Sequence, residues 1–234
     1  IPIAVVIDKK SKVYAHTIIL PQLLPFNESN AKINLIGPEY APIDSAYYNI
    51  NNGTMDFNKK PISILVSMGY YDSKGITIKI LKAIELIIYK FNYDIVVNVL
   101  IGNESLHLVE INTFKDKNSN LFIHNNVRDM SLFYKNSDIA IGATGLSNME
   151  RLAAGLPTLL IAQNKDQNNL INNLVKNGYA LKAKNTLHSI EKAIIQMFSS
   201  RRELRAISRK GVKLVDGKGA KRIAKSINNI LFKC

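Results

Sequence analysis

The sequence predicts an α/β protein with a Rossmann-like, doubly wound parallel sheet. From residue 61 onward, short apolar runs alternate with amphipathic segments and glycine-containing turns. Residues 77–89 repeat apolar side chains at the helical period, and residues 94–101 form a largely apolar run typical of a buried strand. Alternating strands and helices of these lengths form right-handed βαβ units, which build a parallel sheet.

The first 60 residues carry a weaker pattern. Residues 3–8 and 14–20 are extended runs separated by a basic turn, and a short strand is expected at Ile33–Ile36. The segment GPEYAP follows at residues 37–42. Residues 43–60 contain few aliphatic side chains, so they are predicted to be a linker.

The rest of the chain is predicted element by element from its apolar periodicity. The predicted strands are Ile62–Ser67, Asp94–Ile101, Leu121–His124, Ile139–Ile141 and Thr158–Ala162. The predicted helices are Thr77–Tyr89, Ser131–Asn136, a helix that ends at Gly155, Gln167–Lys176, Leu187–Phe198, and two helices within residues 201–231.

The block at residues 138–167 points most clearly to a ligand. The strand Ile139–Ile141 runs into the small residues 142–145, and a helix follows until Gly155. A strand that leads through such a turn into a helix presents free N–H groups and the positive end of the helix dipole, which suits an anionic ligand. Glu150, one to two turns into this helix, is close enough to reach the hydroxyl groups of that ligand.

The expected position of a ligand also follows from sheet geometry. In an open parallel sheet, ligands bind beyond the carboxyl ends of the strands, where the strand order reverses. The loops at those ends are residues 68–74, 124–129, 142–147 and 163–167. Any ligand site is therefore expected among these four loops.

Several segments resemble one family. Residues 142–167, GATGLSNMERLAAGLPTLLIAQNKDQ, resemble the block GAGG-S/T-x-x-x-E-R-x-x-x-GLP-x-x-x-I-x-x-x-x-NQ of the UDP-sugar hydrolases of pseudaminic acid biosynthesis and their spore-coat polysaccharide relatives. SMGYYD at residues 67–72 resembles the family's S-M-G-G-x-D turn. GPEYAP, and VDGKGAKRIA at residues 215–224, resemble its G-P-x-Y-A-L/P and V-D-G-x-G-A-x-R-x-A segments. These proteins are glycosyltransferase-B-like, similar to the GlcNAc transferase of peptidoglycan synthesis.

The resemblance implies a glycosyltransferase-B-type C-terminal domain with a remnant of the N-terminal domain. Residues 1–42 would end an N-terminal α/β domain, residues 43–60 would be the linker, and residues 61–234 would form the nucleotide-sugar-binding domain with C-terminal crossover helices. The family's catalytic histidine lies in a G-x-x-H-x-x-R loop near the start of its N-terminal domain, and this sequence has no such motif. We therefore expect that an N-terminal segment is missing, and the catalytic residues stay unassigned.

The resemblance also implies an activity. The family hydrolyses a UDP-linked amino or deoxy sugar to the free sugar and UDP, in surface polysaccharide or nonulosonic acid biosynthesis, without a metal or other cofactor. We expect a UDP-sugar as the ligand. Two alternatives stay open: a glycosyltransferase that uses a UDP-sugar donor, and a non-catalytic sugar-nucleotide-binding domain fused to another enzyme such as a CMP-sugar synthetase. Because the histidine loop is absent, whether this chain is an enzyme also stays open.

Twelve ligand-binding positions follow from the resemblance. They are Ser67, Gly69, Tyr70, Val127, Gly142, Thr144, Gly145, Leu146, Ser147, Glu150, Asp166 and Gln167. In the family, the S-M-G-G-x-D turn approaches the diphosphate, the helix-borne glutamate accepts both ribose hydroxyls, and the segment at Val127 meets the nucleobase edge. On the residues alone, Glu150 can also be a solvated helix glutamate that pairs with Arg151 or Lys165.

Two of these positions depart from the family pattern. Tyr70 replaces the second glycine of the S-M-G-G-x-D turn. Its ring either stacks on a ligand or keeps the loop from cradling phosphate, because a Cβ restricts the close approach of the backbone. Asp166 stands where the family has asparagine, and Asn164 is a rival for that role.

Composition limits the remaining function classes. The formal net charge of +13, from 31 Lys and Arg against 18 Asp and Glu, fits a lysine-rich solvated surface or a phosphate-bearing ligand. The basic residues 201–225 include no aromatic side chain, so a solvated surface is favoured over nucleic-acid or anionic-membrane binding. No apolar run reaches membrane-spanning length, and the single cysteine, Cys234, fits a reducing compartment. A cytoplasmic location is therefore expected.

The sequence contains four histidines, at positions 16, 107, 124 and 188. The four histidines share no metal-like spacing with another His, Cys or carboxylate, so no metal site is predicted. His124, at a strand end beside the proposed cleft, is the one histidine considered for a functional role.

Overall fold

The computed structural model describes residues 3–7, 14–23, 30–51 and 61–231. A small parallel sheet near the N-terminus has the order β1 (Ala4–Val6), β2 (Thr17–Leu20), β3 (Ile33–Ile36). Asp8, the linker residues 52–60 and Cys234 lie outside the described residues.

The larger sheet holds six strands, all parallel. They are β4 (Ile62–Ser67), β5 (Ile95–Leu100), β6 (Leu121–His124), β7 (Ile139–Gly142), β8 (Thr158–Ile161) and β9 (Leu181–Ala183). Their spatial order is β6-β5-β4-β7-β8-β9, so the strand order reverses between β4 and β7. This order confirms the predicted Rossmann-like, doubly wound sheet and places the reversal at the two strands that precede the glycine-containing turns.

Eight α-helices lie among the described residues. They are α1 (Ile76–Phe91), α2 (Leu108–Lys117), α3 (Ser131–Asn136), α4 (Leu146–Ala154), α5 (Lys165–Lys176), α6 (Leu187–Ser199), α7 (Arg201–Leu214) and α8 (Gly219–Leu231). The sequence patterns did not predict α2, because only Ile111 and Phe114 of this helix are buried and its apolar stripe is therefore too thin to detect. Among the described residues, no helix combines the length and the apolar composition needed to cross a membrane.

The core lies on both faces of the larger sheet. Ile64 and Val66 of β4 pack with the buried faces of α1 and α6. Leu65, on the opposite face of the same strand, packs with Tyr134 of α3 and Ala154 of α4. This alternation is the two-residue period of a strand that is covered by helices on both sides.

Part of the predicted linker packs against α4. The backbone N–H groups of Asn49 and Asn51 donate to the carbonyl oxygens of Ala153 and Ala154, at 2.8 and 3.0 Å. These bonds satisfy two of the carbonyl groups that the last turn of a helix leaves without an intrahelical partner. Residues 45–51 are therefore attached to the C-terminal end of α4.

The last helix returns to the GPEYAP segment. α8 packs against a 3₁₀ helix at Pro38–Tyr40, and the guanidinium of Arg222 donates to the Glu39 carbonyl oxygen at 2.9 Å. Arg222 also makes a bidentate ion pair with Asp216, at 2.7 and 2.5 Å. The VDGKGAKRIA and GPEYAP segments thus meet in space.

Candidate functional site

The ends of β4 and β7 meet at the point where the strand order reverses. Ser67 is paired with Gly142 in the parallel register, and the N–H of Ala143 donates to the Ser67 carbonyl oxygen at 3.2 Å. A Cβ on Gly142 would lie 2.7 Å from that carbonyl oxygen and 3.0 Å from a guanidinium nitrogen of Arg151. Glycine is therefore required at this position by the close approach of a strand and a buried side chain.

The N-terminus of α4 opens from this turn without a side-chain cap. Its N-cap residue is Gly145, with φ of 128° and ψ of −160°, a backbone conformation that only glycine adopts readily. Within the part of the chain that the structure describes, no atom of another segment lies within 4 Å of the place where a Cβ on Gly145 would sit. The first turn of α4 therefore presents its N–H groups and the positive end of its dipole to open space.

Side chains cap two other helices at this edge, α1 and α5, which follow the strands β4 and β8 on either side of β7. The carboxylate of Asp72, which is only 2% exposed, accepts from the N–H groups of Ile76 and Thr77 in α1 at 3.0 and 2.7 Å. The side chain of Asn164 accepts from the N–H of Gln167 in α5 at 2.8 Å. Of these three helix ends, the end of α4 is the one that remains available to an anion.

Buried polar atoms without a partner cluster around the start of α4. They are the Thr144 hydroxyl, both polar atoms of the Asn148 side chain, and Nε of Arg151. Burying such groups unpaired is costly, typically about 1–3 kcal/mol each. Unpaired polar atoms beside an uncapped helix end are the pattern expected where a polar ligand completes the hydrogen bonding.

Arg151 brings a positive charge beneath the turn. Its side chain is fully buried, and Nη2 donates to the Ala143 carbonyl oxygen at 2.5 Å. Burial lowers the pKa of the Arg151 guanidinium, while the neighbouring Tyr134 and Glu150 oppose that shift. Since an arginine keeps its proton in proteins, the charge adds to the dipole of α4 on the side that faces the turn.

Glu150 lies partly exposed in the second turn of α4, with one carboxylate oxygen already in use. Tyr134 of α3 donates its hydroxyl to Oε2 of Glu150 at 2.6 Å. Neither Arg151 nor Lys165 forms an ion pair with Glu150 in the described part of the chain. Glu150 is therefore not a solvated glutamate paired with Arg151 or Lys165; its hydrogen-bond partner is Tyr134.

Two side chains tie the loop after β4 to the loop after β8. The amide of Gln163 donates to the Met68 carbonyl oxygen, and Lys74 donates to the Gln163 carbonyl oxygen. Gly69, with φ of 98°, lies within this pair of loops. These two hydrogen bonds hold the loops after β4 and β8 together next to Ser67.

Tyr70 points away from the α4 turn. Its ring lies against Gly102, where a Cβ would be 2.6 Å from the ring, and it meets Tyr71 edge-on at a centroid distance of 4.9 Å. Gly102 follows β5, which pairs with β4 on the side opposite β7. The ring thus covers the neighbouring strand end rather than the α4 turn.

The twelve sequence-predicted positions lie on four segments at the carboxyl edge of the larger sheet. Ser67, Gly69, Gly142, Thr144, Gly145, Leu146, Ser147 and Glu150 line the ends of β4 and β7 and the start of α4. Val127 lies after β6, three strands from β7 across the sheet. Asp166 is exposed on α5, and Oε1 of Gln167 accepts from the Gln163 N–H at 2.9 Å. Asn164, considered as a rival to Asp166, caps α5.

His124 has a structural partner. Its Nε2 lies 2.9 Å from Oδ1 of Asn98, and its ring packs edge-on against Phe133. Burial, followed by the charge of Lys115, lowers the pKa of His124. The residue is therefore a half-buried neutral side chain at neutral pH.

Three residues of this region were not singled out from the sequence: Tyr134, Asn148 and Gln163. Tyr134 and Asn148 are polar residues in predicted helices, where a polar side chain usually indicates the solvent-facing side or the first turn. Both are buried, because neighbouring parts of the fold pack over them. Gln163 directly precedes the N-cap of α5, so a capping role was the only local signal.

Known proteins share this architecture. An uncharacterized protein of Methanocaldococcus jannaschii is 26% identical over 156 residues, which cover 64% of this chain and 31% of that protein. The S. aureus MnaA structure determined with UDP superposes with a TM-score of 0.69 at 16% identity, covering 93% of this chain and 61% of that one. The C-terminal domain of the group 1 glycosyl transferase LpcC from Francisella tularensis superposes with a TM-score of 0.57 at 16% identity, covering 75% of this chain and 97% of that domain.

These likenesses have a defined extent. The chain spans about a third of the Methanocaldococcus protein and less than two thirds of MnaA, whereas it contains nearly all of the LpcC domain. At such low identities the superpositions show the fold, which is that of glycosyltransferase-B C-terminal domains. A family model for glycosyl transferases group 1 matches residues 54–214, well over half of the sequence, and the chain therefore belongs to the glycosyl transferases group 1 family.

Proposed function

We propose that this domain binds a UDP-sugar at the start of α4, with the diphosphate on the helix N-terminus and the ribose at Glu150. One observation carries the proposal: at the strand-order reversal, α4 is uncapped while α1 and α5 are capped by their own side chains. The unpaired Thr144 and Asn148 groups and the buried charge of Arg151 support the same position. UDP is also the nucleotide present in the MnaA structure of similar fold.

The proposed site suits cleavage at the anomeric carbon. When the sugar–phosphate bond breaks, negative charge grows on the departing diphosphate. N–H groups fixed by the α4 helix and the Arg151 charge stabilise that charge without having to reorganise. The chain's own contribution to the reaction is therefore to bind the nucleotide and to stabilise the leaving group.

We propose water as the acceptor, which makes the whole protein a UDP-sugar hydrolase that releases the free sugar and UDP. The support is the resemblance of residues 142–167 and 67–72 to hydrolases of pseudaminic acid and spore-coat polysaccharide synthesis. Proton transfer from water needs a general base, and we propose that a partner domain ending at residues 1–42 contributes it. Membership of the group 1 family supports a second candidate, transfer to a sugar or lipid acceptor. A non-catalytic domain that only binds the nucleotide is the third.

Calorimetric titration of the protein with UDP tests the proposed site, and a UDP-release assay separates the three candidates. We expect UDP to bind and CMP to bind more weakly. Release of UDP from a UDP-amino sugar without an acceptor supports the hydrolase. Release only with an acceptor supports the transferase, and binding without release supports the silent domain. Failure of UDP to bind would contradict the assignment.

A further inference from the structure

The hydroxyl of Tyr134 forms a short hydrogen bond to the carboxylate of Glu150 beside the cleft. The bond spans two helices, from α3 to Oε2 of Glu150 in α4, at 2.6 Å. Tyr134 is only 1% exposed, whereas Glu150 is partly exposed. The tyrosine is therefore a fixed donor, and the glutamate is the partner whose orientation it can determine.

The Tyr134 side chain is itself held by residues 45–51. The ring of Tyr47 meets the ring of Tyr134 edge-on, with centroids 5.3 Å apart and planes at 86°. The side-chain amide of Asn51 donates to the carbonyl oxygens of Tyr134 and Ser137 at 2.7 and 2.8 Å. The segment that leads from the N-terminal sheet thus fixes both the ring and the backbone of the donor.

Tyr134 keeps the proton that it donates. Burial raises the pKa of its hydroxyl far above the normal value; the charge of Arg151 opposes this rise, and Glu150 adds to it. The hydroxyl is therefore a donor throughout the neutral range. A carboxylate accepts at both oxygens, so a bond to Oε2 removes rotational freedom from Glu150 while Oε1 stays available.

We propose that Tyr134 is a positioning residue that aims the Glu150 carboxylate at the ribose hydroxyls and so determines the preference for a ribonucleotide. This inference rests on the proposed binding of a UDP-sugar. It does not require that the domain be a hydrolase, because the preference belongs to binding. Without the bond, Glu150 would have to order itself at each binding event, and its hydrogen bonds to the hydroxyls would be weaker.

The test compares UDP with 2′,3′-dideoxyuridine diphosphate, which lacks both hydroxyls. The wild-type protein should bind UDP at least about tenfold more tightly, the value of one hydrogen bond to a charged group. In Tyr134→Phe, we expect that preference to fall to about threefold or less, with the affinity for the dideoxy nucleotide unchanged. Tyr47→Phe removes a hydroxyl from the neighbouring ring but leaves the bond to Glu150, so it is the matched control and should keep the wild-type preference.

A double-mutant cycle separates positioning from simple support of the fold. In a Glu150→Ala background, Tyr134→Phe should not weaken UDP binding further. Tyr134→Met, which lacks a donor but fills much of the same volume, serves if the phenylalanine variant fails to fold. Equal weakening of both nucleotides, or an unchanged preference in a folded variant, would overturn the proposal while the UDP site itself stands. A wild-type protein that binds neither nucleotide would overturn the UDP site as well.

Discussion

Gly219 lies directly against the carbonyl group of Ala41. A Cβ on Gly219 would overlap the Ala41 carbonyl oxygen, carbon and nitrogen, so the first residue of α8 touches the backbone of the GPEYAP segment. This close approach explains why residue 219, more than 170 residues from Ala41 in the sequence, is a glycine. Adding one methyl group at residue 219 therefore tests whether this contact holds α8 in place.

Gly219→Ala should displace the start of α8. We expect the free energy of unfolding to fall by about 1–3 kcal/mol, since backbone atoms cannot move aside as a flexible side chain can. Faster hydrogen exchange of the α8 amides would report the displacement directly. Ala220→Ser, at the next and exposed position, is the control and should leave exchange unchanged. Equal exchange in Gly219→Ala would show that the contact does not hold the helix.

The Asp216–Arg222 pair should make the attachment of α8 sensitive to acid. Hydrogen bonding to Arg222, and then to the Lys218 N–H, lowers the pKa of Asp216 from 3.8 to about 2. A carboxyl with a lower pKa in the folded state stabilises the fold above its unfolded pKa, and the stabilisation is lost as the pH falls through the folded value. The stability advantage of the wild type over Asp216→Asn should thus be full above about pH 4 and shrink towards pH 2.

The measurement for this pair is an NMR titration of the Asp216 carboxyl carbon, with unfolding of the wild type and Asp216→Asn followed from about pH 5 to about pH 2. Arg222→Lys keeps a charge but loses the bidentate geometry, so it should give an intermediate pKa for Asp216. A carboxyl that titrates at its ordinary value would show that the ion pair does not persist in solution.

Glu150→Ala should weaken UDP binding by more than about 1 kcal/mol, because it removes charged hydrogen bonds to the ribose. Isothermal titration calorimetry measures the change. Glu203→Ala removes an exposed carboxylate from α7, away from the cleft, and should leave the affinity as it is. Unchanged affinity in Glu150→Ala would remove this residue from the proposed site.

Tyr70→Gly restores the glycine of the S-M-G-G-x-D pattern. Since the ring lies on Gly102, we expect UDP affinity to stay within about twofold of wild type, while the free energy of unfolding falls by about 1–2 kcal/mol through lost packing and a freer unfolded chain. Tyr71→Gly tests the neighbouring ring under the same conditions. If Tyr70→Gly weakens UDP binding and Tyr71→Gly does not, the Tyr70 ring stacks on the ligand. If Tyr70→Gly tightens UDP binding, the ring obstructs the diphosphate.

The strands of the larger sheet were predictable because their side chains follow simple periods. Ile64 and Val66 face one helix layer and Leu65 the other, so a continuous apolar run marked a doubly covered strand. The helix α2 was not predictable, since Ile111 and Phe114 alone anchor it. Helix starts were off by a residue or two, as at α5, where Asn164 caps a helix that begins at Lys165 rather than Gln167.

The site was predictable where it depends on local order along the chain, and not where it depends on packing between helices. Gly142 to Glu150 follow one another, so the turn and the helix-borne carboxylate could be read together. The bond from Tyr134 to Glu150 joins two helices whose contact no periodicity encodes. Arg151 looks like a surface residue by type, and its complete burial follows only from the position of α4 against the sheet.

The carboxylate of Asp72 gives the cleft a direction. It sits at the start of α1 on the β4 side, while the start of α4 on the β7 side has no negative group of its own. Because Asp72 already accepts from the first N–H groups of α1, an anionic group of a ligand finds a helix start without a side-chain cap at α4 and not at α1, roughly one strand spacing, about 5 Å, away. A ligand bound at the proposed site would therefore place its anionic end at α4 rather than at α1, and this difference between two neighbouring helix ends would fix its orientation.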